Sequence, residues 1–405
     1  MEQRVQPAFL SPGLDRLLGD ERWVRRLQRS RVGVLAHAAS VRSSFVHLLD
    51  ALLAADIKPR LVMGPEHGLR GEAQDMEAVP DGVDPLTGMQ VVSLYGPDPD
   101  SLAPDSQLFG DVDLVLVDIQ DVGSRYYTYV YTAFMVACRA IERGCEVVLL
   151  DRPNPLGRAV EGTPLPAELT SFVGWIPGLP HRHGLTPAEV VCIGLRAKGW
   201  DSSQVRVVRG SAQPRGPVLE ESRLPWVQPS PNMPTLATAL VYPGGCLLEA
   251  TNLSEGRGTT RPFEVVGAPW IDVRAWVEAL QQLSLPGVAF RPASFTPTFQ
   301  KHAGCRCSGL QLHVTDPGAF LPLRTGLALV ATAARLHPDA FAWRPDPYEF
   351  VRDIPAIDLL TGDPAFREGV EQGASVEALL ARFVTSAETR DAMECAWLPE
   401  EEEKG

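Results

Sequence analysis

The sequence predicts an α/β protein, a parallel sheet covered by helices on both faces, followed by a smaller α+β domain. Three observations predict it. In the first half, short continuous apolar runs alternate with segments of helical period, as expected for strands buried on both faces. A Pro-rich stretch without period, from Gly210 to Pro234, then interrupts the alternation and divides the chain into residues 1–234 and 235–405. Beyond it, Leu310, Leu312 and Val314 alternate between helical segments, the pattern of a half-buried strand.

The elements follow in order. Val32–Ala36 reads as the first strand, and Ser43–Ala55 as a helix with Phe45, Leu48, Leu49, Leu52 and Leu53 on one face. Strands are expected at Leu61–Met63, Val91–Leu94 and Leu114–Ile119, a helix over Thr132–Arg143, and a strand at Val147–Asp151. Thr186-Pro187-Ala188-Glu189 carries a helix start, with Thr as cap, Pro at the first position and Glu three residues after the cap. Asp272–Leu283 reads as an Asp-capped helix, and Arg324–Leu336 and Val376–Phe383 as two more.

Composition bounds the partners. The chain has 405 residues and a formal net charge of -13, the wrong sign for a general nucleic-acid binder. No run approaches the ~20 apolar residues of a membrane-spanning helix. The N-terminal stretch places charges where an export signal needs an apolar core, so a cytoplasmic location is expected. Seven scattered Cys include no CxxC pair, so reduced, mostly buried thiols are expected and no zinc site. Motifs for dinucleotide binding, P-loop phosphate binding, zinc proteolysis and the nucleophile elbow are all missing.

Polar clusters remain where parallel sheets gather function, just past strand C-termini. Glu66 and His67 sit in the turn Gly64-Pro65-Glu66-His67-Gly68, with Arg70 next; a carboxyl held rigidly there suits acid–base work. Asp118 to Tyr129 holds Asp121, Arg125 and Tyr126 among two acids and three Tyr, a set that lines a polar cleft or, alternatively, caps and packs the next helix. Asp151 and Arg152, which could simply pair with each other, precede Asn154 in a Pro-braced loop. His181 and His183 frame Arg182, yet spacing supplies no third metal ligand. Asn252 to Glu264 is densest, with Glu255, Arg257, Thr259 and Arg261; Lys301-His302 is a shorter case. Arg forks suit a ligand carboxylate or phosphate. The residues alone point to an enzyme acting on a polar, anionic ligand, with paired carboxylates suggesting glycoside hydrolysis or another acid–base reaction.

The same segments, GPEHGLRGEAQ from Gly64, DIQDVGSRYYTY from Asp118, DRPNPLG from Asp151, RHGLT from Arg182, PSPNMPT from Pro229, YPGGCLLEATNLSEGRGTTRPFEVVGAPW from Tyr242 and FTPTFQKHAG from Phe295, together resemble the exo-β-N-acetylmuramidase family (NamZ-type, formerly a domain of unknown function) over about residues 31–400. The resemblance implies a Rossmann-like catalytic domain, a smaller C-terminal domain and a cleft between them. It implies release of N-acetylmuramic acid from the non-reducing end of peptidoglycan fragments without a cofactor or metal. By that match Glu66 is the general acid; Glu255 and Asp121 are the candidates for a second catalytic group, with assistance by the substrate's own acetamido group as the alternative. Contacts to the muramyl saccharide are expected from His67, Arg70, Arg125, Tyr126, Asn154, His183, Asn232, Asn252, Arg257, Thr259, Arg261, Lys301 and His302, with Arg125, Arg257, Arg261 and Lys301 meeting the lactyl carboxylate. The alternatives are a muramyl-binding protein that does not cleave, and a hydrolase of another acidic amino sugar.

Overall fold

The computed structural model of the chain describes residues 10–74, 77–96, 99–200, 204–218 and 226–398. Part of the Pro-rich stretch, at 219–225, and the acidic tail Glu400–Glu403 lie outside them. The first sheet contains β1 (Val32–Ala36), β2 (Leu61–Gly64), β3 (Gly82–Val83), β4 (Gln90–Ser93), β5 (Leu114–Asp118), β6 (Glu146–Leu150) and β7 (Val205–Val208). Their order is β3-β4-β2-β1-β5-β6-β7. All neighbours run parallel except the β3–β4 edge. β1 and β5 are buried at every position, which is why their sequences are uninterrupted apolar runs. Strand order reverses between β1 and β5, so the ends of β1, β2 and β5 open onto one crevice.

The second unit is built on an antiparallel sheet of β8 (Val265–Ala268), β9 (Val288–Phe295) and β10 (Cys307–Val314), ordered β8-β10-β9. β9 escapes the apolar-run criterion because it is a half-exposed edge strand carrying Arg291 and Pro292. An edge tolerates Pro, which has no N–H to give the ladder. One buried apolar cluster joins the two units, with Tyr127 and Val173 from the first and Leu247 and Leu327 from the second.

Local chemistry explains where elements begin. The helix expected over Ser43–Ala55 is Leu48–Ala54: Phe45 adopts φ 63, and the His47 ring accepts from Leu49 N to start the helix late. The helix expected from Thr132 begins at Tyr129 and runs to Glu142. Thr128 precedes it but gives its side chain no capping bond. The helix Pro187–Ala197 has the full Thr186/Glu189 capping box, and Asp272 caps Val273–Gln282. The helix Pro322–Leu336 has no cap of its own; Glu161, from the first unit, accepts from Leu323 N and Arg324 N at 3.1 and 2.9 Å.

Asp151 and Arg152 do not pair with each other. Arg152 instead forks onto Asp118 at 2.5 and 2.8 Å, tying the end of β6 to the end of β5, while Asp151 accepts from Ala188 N. The seven thiols are free, with Cys305 and Cys395 exposed. No helix among the described residues is long and apolar enough to cross a membrane.

Candidate active site

β2 ends at Gly64, and the chain turns back at once. A Cβ on Gly64 would lie 2.8 Å from Leu69 N, so only glycine admits the fold-back. His67 then takes φ 66 and Gly68 φ 80, a left-handed pair that is costly for a non-Gly residue and typical of a constrained site. This turn holds Glu66, buried to 5 % exposure, at the crevice. The Thr128 hydroxyl donates to Glu66 Oε2 at 2.7 Å, which accounts for the missing cap on the following helix. His67 Nδ1 lies 2.8 Å from Ala73 O. A carbonyl only accepts, so Nδ1 carries a proton and Nε2 faces Glu66 Oε1 at 3.7 Å, too far for a hydrogen bond.

Opposite this turn stands the second unit. Glu249, in the 3-10 turn Cys246–Ala250, accepts from Arg257 Nη2 at 2.6 Å and from the Tyr348 hydroxyl at 2.7 Å. The same cavity is lined by an aromatic wall. Tyr127 packs on Tyr129 at 4.9 Å, Tyr242 lies 5.9 Å from Tyr127, and Phe263 lies 4.9 Å from Tyr242. Burial holds the hydroxyls of Tyr126, Tyr127, Tyr129, Tyr242 and Tyr348 well above the usual tyrosine range, so they stay neutral donors. Glu66, His67, the aromatic wall, Asn232, Glu249, Arg257 and Glu349 line one small cavity.

Of the residues singled out by sequence, Glu66, His67, Tyr126, Asn232 and Arg257 line this cavity. The others do not. Asp121 is fully buried, accepts from Gly123 N and lies 3.5 Å from His183 Nε2. Glu255 sits between Lys301 Nζ at 2.7 Å and Arg257 Nε at 3.4 Å. Lys301 also donates to Leu248 O, Thr251 O and Leu253 O, so it clamps the segment that carries Glu249. Arg70 forks onto Asp84. Arg125 lies beneath Tyr126 and donates to the carbonyls of Thr163, Leu179 and Leu360. Asn154 accepts from Leu156 N and donates to Leu185 O. Asn252 bridges Ala340 and Ala342, and His302 meets Asn252 O. Thr259 donates to Gly256 O, and Arg261 pairs with Glu264 at the surface. These are bonds that hold loops in shape.

Sequence reasoning passed over Glu249, Tyr242, Phe263, Tyr348 and Glu349. Glu249 had a signal, being a lone acid after the apolar Cys246-Leu247-Leu248, where a carboxylate has to be buried and therefore partnered. A second hollow lies past β6 and β7, where Arg152, Arg158 and Arg209 gather, but their guanidinia engage Asp118 and Glu189.

Family comparisons divide the chain in two. The N-terminal model of exo-beta-N-acetylmuramidase NamZ matches residues 32–237, and the C-terminal model residues 240–391. A relative from Bacillus subtilis (strain 168), the peptidoglycan beta-N-acetylmuramidase NamZ, is 42% identical over 383 residues, 94% of this chain and 89% of the relative. Two crystal structures of DUF1343 family proteins from Bacteroides fragilis NCTC 9343 share the fold. One has a TM-score of 0.83 at 27% identity, covering 96% of this chain and 99% of its own. The other has 0.69 at 25% identity, with 95% and 96% covered.

Proposed function

The chain belongs to the exo-beta-N-acetylmuramidase NamZ family, and from that premise we propose that it is a glycoside hydrolase releasing N-acetylmuramic acid from the non-reducing end of peptidoglycan fragments, with Glu66 as its general acid. The observation that carries the assignment is the pair of buried carboxylates, one from each unit, that line one cavity and are held in chemically different company. Glu66 meets a hydroxyl, whereas Glu249 meets a guanidinium and a phenol.

Hydrolysis needs one carboxyl that gives a proton to the leaving oxygen and one that faces the positive charge developing at the anomeric carbon. The Thr128 bond engages Oε2 of Glu66, so we place the mobile proton on Oε1. Glu249 accepts from Arg257 and Tyr348 and lines the cavity, so we assign it as the second carboxylate in place of Glu255 or Asp121. Glu255 is already neutralised between Lys301 and Arg257, and Asp121 is closed off from the cavity. Among the four cations assigned to the lactyl carboxylate, Arg257 alone lines the cavity; although it is paired with Glu249 and Glu255, we assign recognition of that group to Arg257, with His67 in the same lining. The aromatic wall supplies apolar ring faces and neutral hydroxyl donors for the sugar.

The test is release of chromophore from a β-N-acetylmuraminide beside its glucosaminide counterpart. Wild type should act on the muraminide selectively, and Glu66→Gln should lower kcat by about 10²–10⁴-fold with the protein still folded and ligand binding still measurable. Full activity in Glu66→Gln would remove it as the acid. Ligand binding without release by wild type would favour a binding protein.

A further inference from the structure

We propose that His67 is the positioning residue of the acid, its Nε2 sharing with Glu66 Oε1 the proton that Glu66 delivers to the leaving oxygen. The inference rests on the glycosidase reading above and deepens it, by naming what keeps a proton at the acid between turnovers.

The two residues are consecutive, and consecutive side chains of an extended chain point to opposite sides. At His67 the backbone is left-handed instead, with φ 66, and the ring comes back beside the Glu66 carboxyl. Two bonds to one residue fix that ring. Ala73 N donates to His67 O at 3.3 Å, and His67 Nδ1 donates to Ala73 O at 2.8 Å. With its one ring proton on Nδ1, a neutral imidazole presents a lone pair at Nε2, and Nε2 lies 3.7 Å from Glu66 Oε1. Thr128 donates to the other oxygen, Oε2. Both residues are buried and both line the cavity. The separation exceeds a hydrogen bond by about 1 Å, and catalytic contacts of this kind tighten when substrate binds.

A general acid must meet its substrate protonated, yet glutamate in water loses its proton at about pH 4.3 and imidazole at about 6.5. A carboxyl and an imidazole in contact share one proton and titrate as a pair, so the pair keeps it closer to neutrality than a lone carboxyl does. In the acid step the Oε1–H bond breaks and its proton goes to the glycosidic oxygen. The bond from the anomeric carbon to that oxygen breaks, and its electron pair leaves with the oxygen. Glu66 is left as a carboxylate beside His67, and the proton given up by the attacking water returns to the pair. The surrounding groups do not take this proton. Burial holds the tyrosines of the lining neutral, and the Tyr129 ring, which lies edge-on to His67, gives its hydroxyl to Pro229 O at 2.8 Å. His37, on the other side of Tyr129, is kept uncharged by burial, and its Nε2 accepts from Gln120 N at 2.9 Å. The remaining titratable groups of the lining, Glu249, Arg257 and Glu349, come from the second unit, where Arg257 donates to Glu249.

The experiment compares the full-length wild type, His67→Asn and Glu66→Gln on two substrates. The phenolate of a dinitrophenyl β-N-acetylmuraminide leaves without a proton, whereas the sugar alcohol of a muramyl-terminated disaccharide needs one. Asn is among the side chains that best tolerate left-handed backbone, and its amide N–H can keep the bond to Ala73 O, so the variant removes Nε2 alone. The ratio of kcat/KM for the disaccharide over the dinitrophenyl substrate should fall about ten-fold in His67→Asn and by about 10² or more in Glu66→Gln. A His67 that only shaped the turn or touched the sugar would slow both substrates alike, so a ratio unchanged in His67→Asn overturns the proposal while leaving the glycosidase intact. A ratio unchanged in Glu66→Gln removes the acid, and the proposal with it. A second arm is independent of turnover and of the His67 variant. The His67 ring resonances, followed by NMR against pH, should show a titration midpoint about one unit lower in Glu66→Gln than in wild type, because the amide leaves no carboxylate to favour the protonated ring. Equal midpoints overturn the shared proton. A wild type that cleaves neither substrate sinks the glycosidase reading, and the titration then decides the pair alone.

Discussion

Glu66 and Glu255 are both buried glutamates at sharp turns, and both belong to segments rich in functional side chains. Their surroundings part company. Glu66 stands in a sparse turn, where the Thr128 hydroxyl from a helix start donates to it and His67 lies at 3.7 Å. Glu255 stands in the densest polar segment and is met by two cations, Lys301 and Arg257. Two cations compensate the charge of the Glu255 carboxylate and fix its place, whereas the Thr128 hydroxyl that meets Glu66 carries no charge. Density of polar residues thus marks a charge-paired loop here, while the carboxyl proposed as the acid stands in a sparser turn.

The largest effect that could break this contrast is catalytic. The loss expected for Glu66→Gln is two to four orders of magnitude in kcat, with little change in stability. The converse should hold at the clamp. Lys301→Met leaves Glu255 without its nearer cation and frees three carbonyls, so unfolding free energy should drop by about 2–3 kcal/mol. That is below the 3–5 kcal/mol typical of a fully buried pair, because the Lys301 side chain is 24% exposed. Denaturant unfolding reads the loss directly. A Lys301→Met protein that keeps its stability but loses turnover as fully as Glu66→Gln would reverse the roles assigned to the two regions.

A third buried glutamate sharpens the comparison through pH. Glu161 is met by two backbone N–H groups of the helix Pro322–Leu336, and burial pushes its carboxyl up to about 7. Because this value lies above that of the unfolded chain, the native state holds the extra proton between about pH 4.5 and 7. The stability contributed by Glu161 is therefore full at the acidic end of that window, is lost as pH rises through it, and levels off above 7. The swing is at most about 3 kcal/mol at 1.36 kcal/mol per unit. Asp151, pushed up to about 6 by burial and by Glu189, adds a slope of the same sign. Thermal midpoints recorded across this range should show a shallower decline in Glu161→Gln than in wild type. Parallel curves would remove Glu161 as the source.

Much of this fold is legible from pattern alone. The strands β1, β5 and β6 announce themselves as apolar runs because both faces of the sheet are covered, and Thr186 and Asp272 cap helices as their neighbours suggest. What escapes is set by distance in sequence. β9 hides behind Arg291 and Pro292 because only one of its edges is paired. The cap of Pro322–Leu336 comes from Glu161, more than 160 residues away, and no local window contains it. The site behaves likewise. The turn that carries Glu66 stands out in sequence, but Glu249 joins it in one cavity lining only when the second unit packs against the first. Arg70, Arg125 and Lys301 carry charges that suit a ligand, yet each is consumed by a bond to a distant residue.

The smallest effect tests the link between the helix start and the acid. Thr128 precedes the helix Tyr129–Glu142 with helical backbone angles and no side-chain bond to the helix, so the usual reason for Thr at this position does not apply. Its hydroxyl serves Glu66 instead. Thr128→Val keeps the shape and removes the donor. If the hydroxyl were a cap, the variant would lose about 1 kcal/mol of stability and turn over normally. With the hydroxyl positioning Glu66, kcat should fall about ten-fold at unchanged KM, since about 1.4 kcal/mol of aligned hydrogen bond is withdrawn from the acid. Thr128→Ser, which restores the donor, should recover most of the rate. A Thr128→Val enzyme with wild-type kcat would remove Thr128 as a positioning residue for Glu66.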